Sequence, residues 1–593
     1  MKTKKALKRI GALGLCMAIL LCASACGEEP GGEESRLHYP DIADTPSEKD
    51  SWTYIDEEFT IDWYVDYSGF QFEGSSAQYL ADLIKEKTGV TINFTSPLSS
   101  DNGDMLNLMI SGGTLPDVVS VAAYQEIQAQ LALDGYVYPI NVLAEKWAPS
   151  LLGRMAEQQD IMDYYSIGDN VYGLTGACYS EKYVAEDDHW APNGAMLVRK
   201  DWYDEYVALN AENAKKIQTK AGLMEALEWA KTTKGSTAVP LTLDPFNLQG
   251  NSSVEWLSQY FAAPFEDENG DWQDVRTTAE YYEAIAFISE AYENGFVNSA
   301  SLNSDEIGAV ISQGRAFVTL VTPQNFTGSF VAAYKAGVEY IPLVVRNDAG
   351  DDPVLQDLTG YGWLMSMITY NCERPDLVIK VFDFLYSEEG QRILNFGEEN
   401  DLWKWADEEK TKIAWTDKYL SLKASESLSE YGLGMMYVLY NPAYIEPLTP
   451  TNALKDYELY IQNLKRPLSC YSYRYQISWP NLDKSSEEYS SIVRKKANID
   501  SVWGETLSSL ITSPSTQLRE KYDTLISQME SQGLDTVQAF YNKYYQQGKE
   551  AVGLTNGWIP EQEDYVTPTL RNEDGSFSDK EIGANGDPWY LLK

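Results

Sequence analysis

The sequence predicts an α/β protein built as two lobes, and three observations lead to this prediction. Strand and helix patterns alternate near the start of the chain, which is typical of a parallel sheet covered by helices. The 593 residues exceed the size at which one hydrophobic core keeps growing. Beyond residue 26 the only cysteines are Cys178, Cys372 and Cys470, and an odd number so far apart does not indicate a disulfide framework.

The first alternation gives a βαβ unit. A strand pattern at 59–65 is followed by a helix that begins near Ser76 and ends at Gly89, and then by a second strand at 90–94. A helix at 105–110 and a strand at 116–121 repeat the pattern. Because parallel strands need a crossover connection, these segments predict one parallel sheet.

Further elements follow from periodicity and from β-branched or apolar runs. The predicted helices cover 221–231, 279–293, 374–386 and 518–532, and the predicted strands cover 194–199, 317–321, 338–344 and 362–368. Asn269-Gly270 indicates a hairpin between Phe265 and Trp272. A calcium loop at 267–271 is the alternative, although its glycine stands at position four and no bidentate glutamate closes the loop at position twelve. Whether calcium binds stays open.

The N-terminus has the order of an export signal: basic residues precede an apolar stretch at 10–23 that is short for a spanning helix. The following Ala-Ser-Ala-Cys-Gly at 23–27 resembles the lipobox of bacterial lipoproteins, except that Ala23 replaces the usual leucine. This resemblance implies a signal peptide at 1–25, and diacylglycerol and palmitate on Cys26. An ordinary signal peptide without lipid is the alternative. Residues 26–54, rich in Glu, Gly, Pro, Asp and Ser, are predicted to form a flexible tether.

The charge balance excludes nucleic acid as a partner. The chain has 89 acidic and 46 basic residues, a net charge of −43. Loss of residues 1–25 removes five basic residues and no acidic one, which gives −48. Such a charge repels phosphate backbones and anionic membrane surfaces and keeps an exported protein soluble and monomeric.

No catalytic signature is visible. His38 and His189 are the only histidines, and no Gly-x-Ser-x-Gly elbow accompanies them. CxxC, HExxH and glycine-rich phosphate motifs are absent from the sequence. Paired carboxylates could hydrolyse glycosides, but no two of the 89 acidic residues stand out. We therefore predict a protein that is not an enzyme and that has no metal or cofactor.

Several motifs, taken in order, carry a family resemblance. They are NLMISGGTLPDVV at 107–119, DGYVYPI at 134–140, GDNVYGL at 168–174, VRKDW at 198–202, QYFAAP at 259–264 with Asp271-Trp272, and SEEGQ at 387–391. From about residue 55 to 545 the chain resembles the extracellular solute-binding proteins of ABC importers, in particular the large lipoprotein subgroup associated with carbohydrate uptake. Two segments depart from the family pattern, 217–219 and 397–400.

The resemblance implies a two-lobed, type II-like periplasmic-binding-protein fold that closes by a hinge. The expected N-terminal lobe is 55–170 plus 345–405, and the expected C-terminal lobe is 175–340 plus 410–593. Crossings are expected near 170–195, 340–362 and 400–412. The implied partners are a carbohydrate, the subunits of an ABC permease and, through the lipid, the membrane. The expected location is the extracellular face of a Gram-positive-type cell.

Ligands of open α/β sheets bind beyond the carboxyl ends of strands, which selects Asp66, Tyr67, Tyr124 and Asp244. Tyr361 and Trp363 are chosen because they lie at an expected crossing between the lobes, and Asp117 and Trp256 complete the candidate ligand-binding residues. Trp256 and Trp363 are the expected stacking platforms for sugar rings, with core packing as the alternative for every aromatic. Asp66 and Asp244 are expected to stay accessible to ligand and solvent as acceptors for sugar hydroxyls. For Asp117 the alternative is a structural role, in which it caps or braces the strand turn.

Three function classes remain open from the sequence. A carrier that delivers an oligosaccharide to a permease is the main prediction, and a receptor for a peptide or another solute is its closest variant. A glycan-acting enzyme and a surface adhesin are the other two classes.

Overall fold

The computed structural model describes residues 36–70, 72, 74–98, 103–123, 126–180, 191–244, 252–297, 304–356, 361–425, 427–450, 456–473, 482, 484, 486–552, 569–571 and 577–581. Residues 39–593 form one compact unit. Cys26 and the predicted signal peptide lie outside the described residues.

The described helices alternate with strands through most of the chain. The helices are α1 Gly74–Thr88, α2 Asp104–Gly112, α3 Ile127–Leu133, α4 Ile140–Trp147, α5 Pro149–Ala156, α6 Gln159–Tyr165, α7 Lys200–Leu209, α8 Asn213–Lys216, α9 Lys220–Thr233, α10 Ser252–Tyr260, α11 Ala279–Glu293, α12 Ser304–Ser312, α13 Thr327–Lys335, α14 Pro375–Leu385, α15 Glu388–Phe396, α16 Asp417–Ala424, α17 Pro442–Ile445, α18 Asp456–Asn463, α19 Glu487–Ile511, α20 Ser515–Ser531 and α21 Leu534–Val552. None of those searched, all within the described residues, is both long and apolar enough to cross a membrane.

The strands are β1 Phe59–Val65, β2 Val90–Thr95, β3 Val118–Ala122, β4 Leu174–Gly176, β5 Ala195–Arg199, β6 Val239–Leu243, β7 Ala316–Val321, β8 Tyr340–Pro342, β9 Leu355–Gln356, β10 Leu364–Ile368, β11 Trp403–Trp405, β12 Ile413–Trp415, β13 Ser472–Tyr473, β14 Thr569–Arg571 and β15 Phe577–Glu581. The predicted strands and helices are confirmed, with ends that shift by a few residues.

The first sheet has the order β2-β1-β3-β10-β4 and forms the core of the first lobe. β1 pairs in parallel with β2 and with β3, which confirms the predicted βαβ unit. The strand is held because Ile61, Trp63 and Val65 have no exposed surface and pack into the core. β10 runs antiparallel to β3 and brings a late part of the chain into this sheet.

The second sheet has the order β6-β7-β5-β8 and forms the core of the second lobe. β6 and β7 are parallel, whereas β5 runs antiparallel to β7. Every residue of β7 is buried, because the strand lies inside the sheet and is covered on both faces.

The long C-terminal helices pack on the second lobe. The ring of Trp503 in α19 lies 5.6 Å from the ring of Tyr281 in α11. The guanidinium of Arg276 bridges to Asp500 of α19 at 2.9 Å and also binds Asp274 at 2.6 Å. These contacts attach α19 to α11 and to the turn before α11, which lie about 200 residues earlier in the chain.

Residues 396–448 belong structurally to the first lobe, in contrast to the expected boundary at 410. Phe396, Trp403, Ile413 and Ile445 form one buried cluster. The side-chain amide of Gln391 in α15 donates to the carbonyl of Leu439 at 2.9 Å. The chain reaches the second lobe only at α18, so the third passage lies later than the expected 400–412. The hairpin β11–β12 stays with the first lobe because its tryptophans bury apolar surface against α15.

The N-terminal segment 39–54 also packs on the first lobe, so the expected tether of 26–54 is wrong for these residues. The ring edge of Tyr39 lies 5.3 Å from Tyr138, and the backbone amide of Thr45 donates to Lys146 at 2.8 Å. Trp52 is buried against Phe384 with ring centres 5.5 Å apart. Polar composition predicted flexibility, but the aromatic side chains gain enough apolar contact to hold the segment in place.

Candidate functional site

Each of the two sheets has an edge at which the carboxyl ends of its parallel strands lie, and the space between these two edges is called the cleft. In the first sheet β1 and β3 end where β10 begins, and the amide of Ala123 donates to the carbonyl of Trp363 at 2.9 Å. In the second sheet β6 and β7 end where β5 begins. Burial and then the negative charge of Asp244, which follows β6, raise the pKa of Tyr67, which follows β1. Residues of the two edges therefore interact electrostatically.

A group of three aromatic rings lines the first-lobe side of the cleft. The half-buried ring of Trp363 packs edge-to-face with Tyr67, with ring centres 4.9 Å apart, and lies tilted against Tyr437, with ring centres 5.5 Å apart. The sequence predicted Tyr67 and Trp363, and the structure brings them together. Sequence reasoning missed Tyr437, because it lies in the short 3-10 turn Tyr437–Leu439, which has no motif.

Asp66 lies beside this aromatic group. Its backbone amide donates to the carbonyl of Ser120 at 2.9 Å, which extends the pairing of β1 and β3 by one residue. Its carboxylate accepts a hydrogen bond from the hydroxyl of Tyr64 at 2.9 Å. The side chain remains half-buried at the edge of the sheet, as expected for an acceptor that faces a cleft.

Asp244 lies at the opposite edge but is only 3% exposed, so the expectation that it is accessible to solvent is wrong. One carboxylate oxygen accepts the amide of Thr322 at 2.7 Å, and its carbonyl accepts the hydroxyl of Ser253 at 2.7 Å. Burial raises the pKa of Asp244 to about 7. The position after a strand predicted exposure, but α10 and the turn after β7 cover the carboxylate.

Trp256 in α10 lies at the same edge of the second sheet. Its indole ring rests on Gly194 so closely that a Cβ there would lie 2.3 Å from ring carbons. Its buried indole nitrogen has no hydrogen-bond partner among the residues that the structure describes. A tryptophan usually finds an acceptor for this N–H when it is buried. Trp256 thus combines an apolar ring with an unused donor beside the cleft.

A row of polar side chains continues from Gly194. The amide of Gln324 donates to the side-chain oxygen of Asn193 at 2.5 Å, and the ammonium of Lys465 donates to Gln324 at 2.8 Å. Sequence reasoning missed all three residues, because polar residues in loops carry no periodic signal. They provide amide and ammonium groups at the second-lobe edge.

Tyr361 lies at the first-lobe edge, two residues before Trp363, and is only 9% exposed. Its ring packs edge-on against Tyr164 at 5.0 Å. Next to Tyr164 lie Lys484, whose ammonium is 4.6 Å from the ring centre, and the C-terminal helices. Tyr361 therefore packs with Tyr164 and Lys484, two residues along the chain from Trp363.

Asp117 lies away from these residues. It precedes β3, at the end of the strand opposite to the cleft, and its carboxylate accepts the amide of Asp62 at 2.9 Å. Burial raises its pKa. This geometry favours the alternative role of a brace between β1 and β3. Tyr124, the candidate after β3, lies outside the described residues.

The thiols and the candidate calcium loop offer no metal centre. Cys178 and Cys372 are buried free thiols. Residues 267–271 form the predicted hairpin turn, in which the carboxylate of Asp267 accepts the amides of Asn269 and Asp271 at 2.8 and 2.9 Å. Across the described part of the chain, no group of three or more His, Cys, Asp or Glu side chains could hold a metal ion.

Comparisons with known proteins agree with this architecture. Residues 72–392 match the family model for the bacterial extracellular solute-binding protein. Among curated proteins no sequence match was found.

Three solved structures share the fold. The Streptococcus pneumoniae ABC-transporter substrate binding protein FusA in complex with kestose has a TM-score of 0.63 at 17% identity, with 83% of this chain and 100% of that chain covered. The alginate-binding protein AlgQ2 without calcium ion gives 0.61 at 15%, with 83% and 98% covered. The N-glycan transport solute binding protein NgtS from Streptococcus pneumoniae in complex with Man1GlcNAc gives 0.51 at 16%, with 82% and 99% covered. The predicted two-lobed α/β fold is confirmed.

Proposed function

Because the chain belongs to the bacterial extracellular solute-binding proteins, we propose that it captures an oligosaccharide outside the cell and delivers it to the permease of an ABC importer. The observation that carries this proposal is the aromatic group of Tyr67, Trp363 and Tyr437 beside the carboxylate of Asp66. A sugar ring has an apolar CH face and a rim of hydroxyl groups. Aromatic faces match the first, and carboxylate or amide groups match the second.

The second-lobe edge supplies matching groups for the other side of a ligand. Trp256 offers an indole ring and an unused donor, and the row Asn193, Gln324 and Lys465 offers polar groups. Closure of the two edges on a sugar would remove both faces of the ligand from water, which is how hinge-closing receptors gain affinity. Kestose, in complex with FusA, and Man1GlcNAc, in complex with NgtS, are ligands of the same chemical class.

The chain is proposed to act while tethered through a lipid on Cys26. A lipid anchor keeps a receptor near its permease and so raises its effective concentration there. The expected location is the extracellular face of a Gram-positive-type cell membrane. A Cys26→Ala variant is expected in the culture medium rather than in the membrane fraction on immunoblots. Full retention of that variant on cells would argue against the anchor.

The ligand assignment can be tested by calorimetry with a panel of neutral and acidic oligosaccharides and a peptide library. At least one oligosaccharide is expected to bind, and Trp363→Ala is expected to weaken it. Stacking on an indole removes on the order of 50 Å² of apolar surface from water, worth about 1.3 kcal/mol. This corresponds to about a tenfold higher Kd.

Trp405→Ala is the matched control, because Trp405 is also half-buried in the first lobe but lies in the β11–β12 hairpin against Trp403. Its Kd is expected to equal that of the wild type. Tight peptide binding with no oligosaccharide binding would contradict the proposal and favour a peptide receptor. Release of reducing sugar from a glycan pool would instead indicate an enzyme.

A further inference from the structure

Lys484 is a buried lysine whose ammonium has no hydrogen-bond acceptor among the described residues. The side chain is only 8% exposed. Among the described residues its ammonium forms neither a hydrogen bond nor an ion pair, and its close contacts are the rings of Tyr164 at 4.6 Å and Tyr165 at 5.8 Å. An ammonium has three donors, so this one retains its full capacity to bind an acceptor.

The surroundings connect Lys484 to the ligand cleft. Tyr164, under the ammonium, packs against Tyr361 at 5.0 Å, and Tyr361 stands two residues before Trp363. Tyr361 and Trp363 belong to one short segment before β10, so Lys484 lies beside the segment that carries the ring proposed to stack sugars. A charged group beside this segment is placed to contact a substituent of a sugar ring.

Glu126, the carboxylate whose charge acts on Lys484, is already engaged by other donors. Its two oxygens accept hydrogen bonds from the hydroxyls of Tyr489 in α19 at 3.1 Å and Tyr541 in α21 at 2.8 Å. Burial lowers the pKa of Lys484 to about 8, and the charge of Glu126 only partly opposes this effect. Glu126 therefore acts on Lys484 only through its charge. It does not accept a hydrogen bond from the ammonium, as a bound carboxylate would.

Two other largely buried cations of this protein, unlike Lys484, have carboxylate partners. Arg276 is held by Asp274 and Asp500, and Arg154 by the fully buried Asp383. A buried charge without a partner is unfavourable for folding, because it has lost its hydration without gaining an opposite charge. Buried ionisable groups that lie beside a cleft and have no charged partner are typical of ligand-binding sites.

We propose that the ammonium of Lys484 binds the carboxylate of an acidic sugar, a uronic acid, within an oligosaccharide whose other rings stack on Trp363 and Tyr67. This inference rests on the proposed function and specifies its ligand class. The aromatic surface supplies affinity for any sugar ring, and Lys484 selects for the carboxylate. A receptor with an overall negative charge would otherwise repel such a ligand.

Calorimetry at pH 7 tests the proposal with trisaccharides of galacturonic, glucuronic and mannuronic acid and with the carboxyl-reduced, neutral form of each. For at least one pair, the wild type is expected to bind the acid at least tenfold more tightly than its neutral form. Lys484→Met is expected to bind both forms equally, at about the neutral affinity of the wild type. Lys543→Met, which removes an exposed lysine that also lies 4.8 Å from a tyrosine ring, should keep the preference.

Thermal unfolding separates this role from a structural one. Lys484→Met removes an unpartnered charge and keeps a chain of similar length, so its Tm in the absence of ligand is expected to equal or exceed that of the wild type. Equal wild-type affinities within every pair, or a preference that survives in Lys484→Met, would overturn the inference and leave carbohydrate binding intact. Failure of all sugars, acidic and neutral, would overturn the proposed function and this inference together.

Discussion

Asp383 joins the N-terminal segment to the first lobe, and Asp383→Ala is expected to lower the free energy of unfolding by about 3–5 kcal/mol. The carboxylate lies in α14 and is fully buried. One oxygen binds the guanidinium of Arg154 at 2.5 Å. The other accepts the amide of Ser51 at 3.0 Å and the hydroxyl of Ser150 at 2.5 Å.

The magnitude follows from what the substitution leaves behind. The buried amide of Ser51 loses its charged acceptor, which costs about 1–3 kcal/mol. Arg154, only 17% exposed, keeps Asp50 at 2.8 Å as its second partner, so its charge is not entirely unpaired. The remaining loss of its buried ion pair and of the Ser150 hydrogen bond adds about 2 kcal/mol.

Urea unfolding followed by tryptophan fluorescence measures this change. The free energies of unfolding of the wild type and the variant are compared for the first unfolding transition, with the same m-value for both proteins. Asp523→Ala is the control, because Asp523 pairs with Arg519 on the surface, where the two side chains are 55% and 64% exposed. Its expected effect is below about 0.5 kcal/mol. Hydrogen exchange at the Ser51 amide should also accelerate in Asp383→Ala. A loss below about 1 kcal/mol, or one no larger than the control, would refute the reasoning.

Two further predictions concern glycine packing and pH. Gly390→Ala would place a Cβ 2.0 Å from the carbonyl oxygen of Phe384 and should lower the free energy of unfolding by about 2 kcal/mol or more. Gly153→Ala in α5 meets no atom within 4 Å and should raise the free energy of unfolding by about 0.5–1 kcal/mol. Shifts of the urea midpoint in the same direction for both variants, relative to the wild type, would contradict this prediction. Asp244 has a folded pKa of about 7 against 3.8, so the folded state binds the extra proton and the free energy of unfolding falls as pH rises from about 4 to 7. That loss is on the order of 2–4 kcal/mol. Asp244→Asn should remove this slope in urea titrations at pH 5 and pH 8, and an unchanged slope would count against the buried carboxylate as its source.

Local patterns made most of the fold predictable. β1 is a short run rich in β-branched and aromatic residues, and residues 279–293 repeat apolar side chains at helical spacing, so both elements coincide with their predicted ranges. Glycines and buried strands in a fixed order were enough to indicate the family, because that order reflects how successive elements cover one sheet. The positions of Asp66 and Tyr67 followed from the general rule that loops after strands carry the site, and that of Trp363 from its place at an expected crossing between the lobes.

The third passage between the lobes and the burial of Asp244 did not follow from such patterns. Residues 410–448 contain no signal that distinguishes the two lobes, and only the contact of Ile413 and Ile445 with Phe396 assigns them to the first. The loop position of Asp244 predicted exposure, but burial depends on what packs over a loop. Asp117 lies at the amino end of β3, and this end of the strand is opposite to the cleft. Its position next to a strand in the sequence therefore did not place it in the site.

The sequence by itself determined the α/β class, most of its elements and the family. It did so because each of these depends on residues that are neighbours along the chain or on their order. The tertiary structure alone decided which side chains meet: Tyr437 with Trp363, and Lys484 with Tyr164. These partners are separated by 74 and 320 residues, respectively. Contacts over such separations arise only when the sheets and the C-terminal helices have packed, so no local pattern records them.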